Sequence, residues 1–286
     1  MDERDWLIIK TLYKYKNITR TAEELFITQP ALTSRLKYIE ALFGVQIVNR
    51  TTKGVQFTVQ GAYLADKSRE LLNDFIEIKH QVLSLSAKTE GTLNIAASSY
   101  ITNYRLPKLL KAFKKAYPHI DINVSTAWSK DIFGYVFNRD VHVGFASVAD
   151  IDTVERSLIC EEELCVASMQ EVDLHELYQY PRISYQSNYL LRSRIDRWWR
   201  ENYKQAPQTA LSVDSLSNCL EMVRAGLGFA IIPDGAAKDF EGIKLRYIYD
   251  QQGEPIKFKV WMLYNKDVMT LNIAKVFIEF LQNKIL

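Results

Sequence analysis

Apolar residues near the start of the chain recur at intervals of three and four, which is the spacing of one face of an α-helix. This pattern predicts a first amphipathic helix over residues 5–15. Ala22 and Leu25 give the inner face of a short second helix, and Thr19 stands where it can cap the start of that helix. After the first helix the chain therefore forms this short second helix and a tight turn, which leads into a third helix.

The third predicted helix has the clearest boundaries. Thr28 stands at an N-cap position, Pro30 lies near the first helical residue, and Gly44 ends the helix. Its buried face consists of apolar residues in steps of four, three and four, namely Leu32, Leu36, Ile39 and Phe43. A basic turn between two apolar pairs follows at residues 49–54 and predicts a small hairpin, or wing.

Helices and wing together predict a winged helix-turn-helix, whose third helix enters the DNA major groove. Glutamine can pair with adenine, hydroxyls can reach bases or phosphates, and lysine can neutralise phosphate. The alternative is an ordinary solvated helix face, which the basic wing makes less favoured. The predicted DNA-contacting residues are Thr28, Gln29, Pro30, Thr33, Ser34, Lys37, Arg50 and Lys53.

Residues 58–88 contain no proline and one glycine, Gly61, near their start, which predicts a single long helix. Its apolar residues form a heptad seam: Leu64, Leu71, Phe75, Ile78, Val82 and Leu85. This stripe packs either on its own domain or on a second copy of the chain. Because the helix lies between two apparently complete domains, we expect homodimerisation.

After residue 90 short apolar strands alternate with helices, a pattern that predicts a doubly wound α/β domain. We therefore expect a DNA-binding domain at residues 1–58, a linker helix at 59–89 and an α/β domain at 90–286. Within the last, lobe I spans about residues 90–161 and 264–286, and lobe II about 162–263, with crossovers near residues 160–166 and 260–263.

Ligands of open α/β domains bind beyond the carboxyl ends of the strands, at helix N-termini and between lobes. This rule selects twelve residues: Ser98, Ser99, Tyr100, Thr126, Trp128, Ser129, Phe145, Ala146, Tyr185, Gln186, Gly228 and Phe229. Each of them could instead be a helix cap or a packing residue. Serines at a helix start favour a small organic anion as the ligand, with no other cofactor.

Composition adds little to this interpretation. The chain of 286 residues is 48% hydrophobic and carries a net charge of +2, and its first 60 residues hold nine basic and six acidic side chains. Met1-Asp2-Glu3 is unlike a signal peptide, so we expect a cytoplasmic protein. Cys160, Cys165 and Cys219 have no metal-ligand spacing, and no catalytic or metal-binding set is evident.

The amino-terminal segment resembles the DNA-binding domain of LysR-type transcriptional regulators. The matching residues are Thr21, Ala22, Leu25, Thr28, Gln29, Pro30, Ala31, Leu32, Thr33, Ile39, Glu40, Phe43, Gly44, Arg50, Thr58 and Gly61. The α/β half is similar to the two-lobe, periplasmic-binding-protein-like effector domain of that family. Its matches include Leu106, Pro107, Phe113, Tyr117, Pro118, Val223, Gly226, Leu227, Gly228, Phe229, Ile232 and Pro233.

The resemblance implies a regulator that binds an interrupted dyad in double-stranded DNA, pairs through its linker helix and assembles as a dimer of dimers. RNA polymerase is a candidate further partner, and no membrane partner is expected. Ser34 stands where the family often has a long polar or basic side chain, and His142 where it often has Asp. The alternatives are an architectural DNA-binding protein without a ligand and, less favoured because no catalytic set converges, an enzyme on the two-lobe scaffold.

Overall fold

The computed structural model describes residues 1–51, 54–84, 91–148, 153–238 and 240–285, and the chain divides into two units, Met1–Lys88 and Thr89–Leu286. The first unit comprises helices α1 (Glu3–Tyr15), α2 (Ile18–Glu24) and α3 (Gln29–Phe43), strands β1 (Val48–Thr51) and β2 (Gly54–Phe57), and helix α4 (Val59–Ser84). Its core joins apolar residues of α1, α3, the wing and the start of α4 in one buried cluster. This arrangement confirms the predicted helices and wing.

The helix ends of the first unit are fixed by side-chain caps. Asn17, and not the predicted Thr19, caps α2, because its side chain accepts a hydrogen bond from the Arg20 N–H at 3.0 Å. Thr28 caps α3 as predicted, accepting from the Ala31 N–H at 3.3 Å. Gly44 ends α3 with a φ of 65°, a left-handed conformation that glycine adopts without strain.

Helix α4 buries one face at its start and exposes another further along. Leu64, Ser68 and Leu72 are buried, since this part of α4 packs on α1. The other predicted seam residues within the described part are exposed: Leu71, Phe75, Ile78 and Val82. Leu64 therefore belongs to the core of its own unit and not to a surface for a partner, and Leu85 lies outside the described residues.

The second unit contains strands and helices in alternation. In chain order they are β3 (Gly91–Ala97), α5 (Ser99–Tyr104), α6 (Leu106–Ala116), β4 (Ile120–Thr126), α7 (Ser129–Phe137), β5 (Val143–Ala146), β6 (Glu155–Ser168), β7 (Arg182–Tyr185), α8 (Tyr189–Asn202), β8 (Thr209–Val213), α9 (Leu216–Arg224), β9 (Ala230–Pro233), β10 (Lys244–Tyr247), β11 (Lys257–Tyr264) and α10 (Asn272–Ile285). Short 3₁₀ helices lie at Leu174–Gln179, Asp234–Ala236 and Lys266–Thr270.

One long strand, β6, carries the sheet from lobe I to lobe II. In lobe I, β3 runs parallel to both β4 and β5, and β11 pairs antiparallel with β5. Strand β6 pairs with β11 from Glu155 to Glu163 and then, from Leu164 onward, with β9 and β10 of lobe II. The change of partner at Glu163–Leu164 falls within the crossover region that the sequence predicts.

Lobe II completes its own small sheet with β7 and β8, which are parallel to each other. Helices α5 and α6 stand at the carboxyl side of β3, and α7 follows β4, so the strand-to-helix connections predicted to carry a ligand are present. No helix in the described ranges combines the length and the apolarity that crossing a membrane would require.

Candidate functional site

The outer face of α3 presents polar side chains to solvent. Gln29, Ser34 and Lys37 are exposed, together with the capping Thr28 and Pro30. Thr33 is half-buried, and its Oγ1 is buried without a hydrogen-bond partner in the described part of the chain. These six residues thus lie on or beside one surface of α3. The free backbone N–H groups of its first turn lie at the N-terminal end of that surface.

Arg35 has a different role from its neighbours on α3. Its guanidinium binds the carboxylates of both Asp2 (Nη2 to Oδ2, 2.9 Å) and the fully buried Asp5 (Nη2 to Oδ2, 3.1 Å, with a second contact from Nε). The hydrogen bond that Arg35 donates to the Asp5 carboxylate raises the pKa of the guanidinium above its usual value. This clamp fixes the position of α3 on α1, and it occupies the one arginine of the helix in a structural contact.

The wing is attached to the end of α1. The Val55 N–H donates to the Lys16 carbonyl at 3.0 Å, and a Cβ on Gly54 would lie only 2.5 Å from that same oxygen. Glycine is therefore required at residue 54, where φ is 125°. The side chain of Arg50 and all of Lys53, both predicted to contact DNA, lie outside the described residues.

A cavity of about 540 Å³ opens between the two lobes of the second unit. Its walls come from the start of α7, the residues after β5 and the start of α8: Trp128, Ser129, Lys130, Phe133, Ser147, Val148, Ser187, Asn188, Tyr189 and Leu190. The Ser129 Oγ in this wall is buried and has no hydrogen-bond partner within the described protein. Two helix N-termini, an unsatisfied hydroxyl and the Lys130 ammonium favour an anionic ligand here.

Two of the residues predicted for the effector site, Trp128 and Ser129, line this cleft. Ser98 and Ser99 lie at the start of α5 and do not line the cleft. Thr126 does not line it either; its exposed hydroxyl donates a hydrogen bond to the Thr102 hydroxyl at 3.2 Å. Lys130, Phe133 and the 188–190 segment were not predicted. These residues come a few positions after the predicted effector residues, and no pattern in the sequence marks them as ligand contacts.

Four predicted effector residues are packing residues instead. Phe145 and Ala146 are fully buried, and Phe145 meets Phe277 edge-to-face with ring centroids 6.3 Å apart. Phe229 is 1% exposed and stacks on Trp199. Gly228 lies against the backbone of Pro181, where a Cβ would approach the carbonyl oxygen to 2.3 Å. A ligand in the cleft cannot contact these buried side chains, because their strands point them into the core.

Tyr100 belongs to a buried polar cluster at the junction of the lobes. Arg105 pairs with the Glu162 carboxylate, and Asp234 of lobe II lies beside it, accepting from the Glu163 N–H at 3.3 Å. Burial, with the neighbouring Asp234 carboxyl, raises the pKa of Glu162 despite the opposing effect of Arg105. A Cβ on Gly235 would lie 2.3 Å from Arg105 Nη2, so the cluster fills the space that this glycine leaves.

A direct contact also holds α5 of lobe I to α9 of lobe II. The Asn103 side-chain amide donates to Ser217 Oγ at 3.0 Å, and Tyr104 OH lies 3.2 Å from the same oxygen. The remaining predicted residues, Tyr185 and Gln186, line a separate cavity in lobe II.

All three cysteines are free thiols, of which Cys165 and Cys219 are buried and Cys160 is half-buried. Burial raises the pKa of the thiols of Cys160, Cys165 and Cys219 to about 12, so each stays protonated at neutral pH. Among the described residues, no group of three or more His, Cys, Asp or Glu side chains is arranged to hold a metal ion.

Comparison with known proteins gives two family matches: the bacterial regulatory helix-turn-helix protein family, lysR type, over residues 4–62, and the LysR substrate binding domain over residues 86–285. YraN of Bacillus subtilis (strain 168), an uncharacterized HTH-type transcriptional regulator, is 32% identical over 284 residues, which cover 99% of this chain and 98% of that protein. YkuM of the same strain, also uncharacterized, is 25% identical over 93% of this chain and 92% of its own length.

Among solved structures, full-length CbnR in complex with its target DNA superposes with a TM-score of 0.68 at 19% identity and covers 99% of each chain. The Vibrio cholerae virulence activator AphB superposes with a TM-score of 0.63 at 17% identity, over all of both chains. Both likenesses are similarities of fold.

Proposed function

We propose that this chain, which belongs to the LysR family of DNA-binding transcriptional regulators and has the effector-binding domain of that family, binds an interrupted dyad in DNA as a homodimer under the control of a small anion. The observation that carries this proposal is the exposed polar face of α3, held in place by the Arg35 clamp. Each part of the proposal is supported by a separate group of residues.

Base reading is assigned to Gln29 and Thr33, and phosphate contact to Lys37, Arg50 and Lys53. Gln29 is exposed at the first turn of α3, where a bidentate pair with adenine is within the reach of a helix lying in the major groove. Thr33 is half-buried beside that face, and rotation of its side chain would bring the buried, unpaired hydroxyl to a base or phosphate acceptor.

Pairing of two chains is assigned to the exposed stripe of α4, which comprises Leu71, Phe75, Ile78 and Val82. These residues step by four, three and four, so they lie on one side of the helix. Four exposed large apolar side chains in one row favour burial against an identical helix, because a two-fold axis lets the same stripe serve both partners. A pair of α3 helices related by that axis reads a dyad.

The effector is assigned to the cleft bounded by Trp128, Ser129 and the start of α8. Its volume suits a small organic molecule, and its donors favour a carboxylate or another anionic group. Closing the cleft would change the relation of the lobes and thereby the packing of subunits on DNA, which couples ligand to DNA bending or to the choice of half-site.

The test of DNA recognition is a selection from a pool of random duplexes, followed by footprinting of the selected site with and without cell extract. An interrupted palindrome supports the proposal, whereas uniform coverage without a preferred sequence would indicate an architectural protein. Gln29→Ala should weaken binding to the selected site by about 1–3 kcal/mol and leave binding to random DNA unchanged. Gln60→Ala, an exposed glutamine in the first turn of α4, is the matched control.

The test of pairing is sedimentation of the chain carrying Phe75→Lys, which places a charge in the middle of the exposed stripe. We expect the dimer to dissociate to a monomer with an intact fold. Leu227→Lys changes an apolar side chain of similar exposure (47%, against 41% for Phe75) in lobe II and should leave the dimer unchanged. A Phe75→Lys protein that remains dimeric would remove α4 from the interface.

A further inference from the structure

Lobe II contains a second cavity, of about 290 Å³, that is separate from the cleft between the lobes. It lies between α8 and the sheet formed by β7 and β8, and its polar lining includes Arg182, Ser184, Gln186, Arg192, Asp196 and Ser212. Only Ser187 borders both cavities. The space equals that of about ten water molecules, so it accommodates a small solute.

Arg182 is the unusual member of this lining. Its guanidinium stacks over the Trp199 ring at 5.5 Å, and its Nε is buried without a hydrogen-bond partner. Within the described residues it has no salt bridge. Burial away from water lowers the pKa of the guanidinium, yet arginine remains protonated in proteins. The charge of Asp196 opposes this effect, but that side chain is half exposed and makes no salt bridge with Arg182 in the described structure, so an anion bound in the cavity would stabilise the cation further.

The other two charges around the cavity have opposite effects on Arg182, since Asp196 raises the pKa of its guanidinium and Arg192 lowers it. Arg192 and Asp196 face each other across one turn of α8, with Nε and Oδ2 3.7 Å apart, and so balance one another. The lining therefore carries one excess positive charge. Ser184 Oγ lies 3.2 Å from Ser212 Oγ and 3.4 Å from the Leu211 carbonyl, and the exposed Ser212 hydroxyl can rotate to donate to an acceptor in the cavity.

We propose that this cavity binds a small oxyanion, a carboxylate or a phosphate, through the guanidinium of Arg182 and the hydroxyl of Ser212. The planar guanidinium can offer two parallel N–H donors to such a group, and stacking on Trp199 holds it in one orientation. Arg192 at the rim adds attraction for an anion that approaches from solvent. The site does not depend on the cleft or on DNA recognition, and it goes beyond the function proposed above.

The experiment is calorimetric titration of the full chain with inorganic phosphate, sulfate, acetate and succinate, each as a separate arm at constant ionic strength. Saturable binding of a phosphate or a carboxylate at a one-to-one ratio is expected, and the arm that binds most tightly identifies the class of oxyanion. Tryptophan fluorescence should change in the same concentration range, because Trp199 lies directly under Arg182.

Arg182→Gln should weaken binding by at least about tenfold, the loss expected for charge-assisted hydrogen bonds. Arg197→Gln, an exposed arginine of α8 outside the cavity, should bind as the unaltered chain does. The melting temperature of Arg182→Gln in buffer without the anion checks that this variant is folded. Ser212→Ala, at an exposed residue, provides a second variant with a smaller loss of affinity.

Absence of saturable binding in all four arms would overturn the proposal. Equal affinity of the Arg182→Gln and unaltered chains would overturn it as well, because the anion would then bind elsewhere. Neither result bears on the dyad selected by α3, which is measured on DNA without added anion.

Discussion

The glycine at the start of α4 offers a sharp test of how the wing is held. A Cβ on Gly61 would lie 2.1 Å from the carbonyl oxygen of Ile47 and 2.9 Å from its carbonyl carbon. The Thr58 N–H donates to that same oxygen at 3.0 Å, whereas the Thr58 hydroxyl has a closer acceptor in the Gln46 carbonyl, at 2.7 Å against 3.2 Å for Ile47. The perturbation is Gly61→Ala, which adds a single methyl group between α4 and the strand that leads into the wing.

Two opposing effects set the magnitude. Alanine is favoured over glycine inside a helix by about 1 kcal/mol, which would stabilise α4. Against this, the methyl must displace the Ile47 carbonyl by roughly 1 Å, since ordinary C···O contacts exceed about 3.3 Å. Overpacking of this kind costs about 1–3 kcal/mol, and weakening the Thr58 N–H hydrogen bond to the displaced carbonyl adds about 1 kcal/mol. We therefore expect a net loss of about 1–3 kcal/mol.

Gly134→Ala provides the matched comparison. This glycine lies within α7, and a Cβ there meets nothing within 4 Å, so only helix propensity acts and stability should rise by up to about 1 kcal/mol. Urea unfolding measures both changes, and hydrogen exchange over residues 1–84 assigns the Gly61→Ala loss to the first unit. A Gly61→Ala chain as stable as the unaltered one would refute the close-contact explanation.

Two further outcomes follow from buried polar groups. His142 Nδ1 accepts a hydrogen bond from the Asn94 N–H at 3.0 Å, so His142→Ala should cost about 1–3 kcal/mol in urea unfolding, and His142→Asn, which keeps an acceptor, should recover part of it. Because burial raises the pKa of Glu162, the folded state holds this proton more tightly than the unfolded chain, and the resulting stability is greatest in acid and is lost as pH rises through the folded-state pKa. Unfolding free energies of the unaltered chain and of Glu162→Gln, compared from pH 4 to 8, should show a smaller decline for the variant; equal slopes would contradict this.

Local patterns in the sequence were enough to predict most helices and strands. Apolar spacing and caps gave α3 its Thr28 start and Gly44 end. Strand β6 begins at Glu155, well before the apolar run that marks its lobe II half.

Partners in space were harder to predict than elements. Leu64 and Leu71 are one heptad apart, yet Leu64 packs on α1 while Leu71 is exposed. The spacing of apolar residues on a helix does not show which other surface packs against each of them. Phe145 and Phe229 follow the rule that ligands bind at strand ends, but a rule about chain position leaves open which side of the sheet a side chain faces. Arg182 belongs to no sequence motif, and its position over Trp199 with a buried, unpaired Nε becomes visible only in the structure.

The pairing of β6 with β11 also makes lobe II a segment that can be exchanged as a whole. Glu163 and Lys257 are register partners in the β6–β11 ribbon, so the chain enters and leaves lobe II at neighbouring points. Facing residues of antiparallel strands lie only about 5 Å apart, a gap that a tight turn can close. The intervening segment, 164–256, could therefore be exchanged between homologues, or replaced by a reporter protein whose termini are close together, without cutting the lobe I sheet. The pairing of β6 with β11 thus makes this regulator suitable for the construction of sensor proteins.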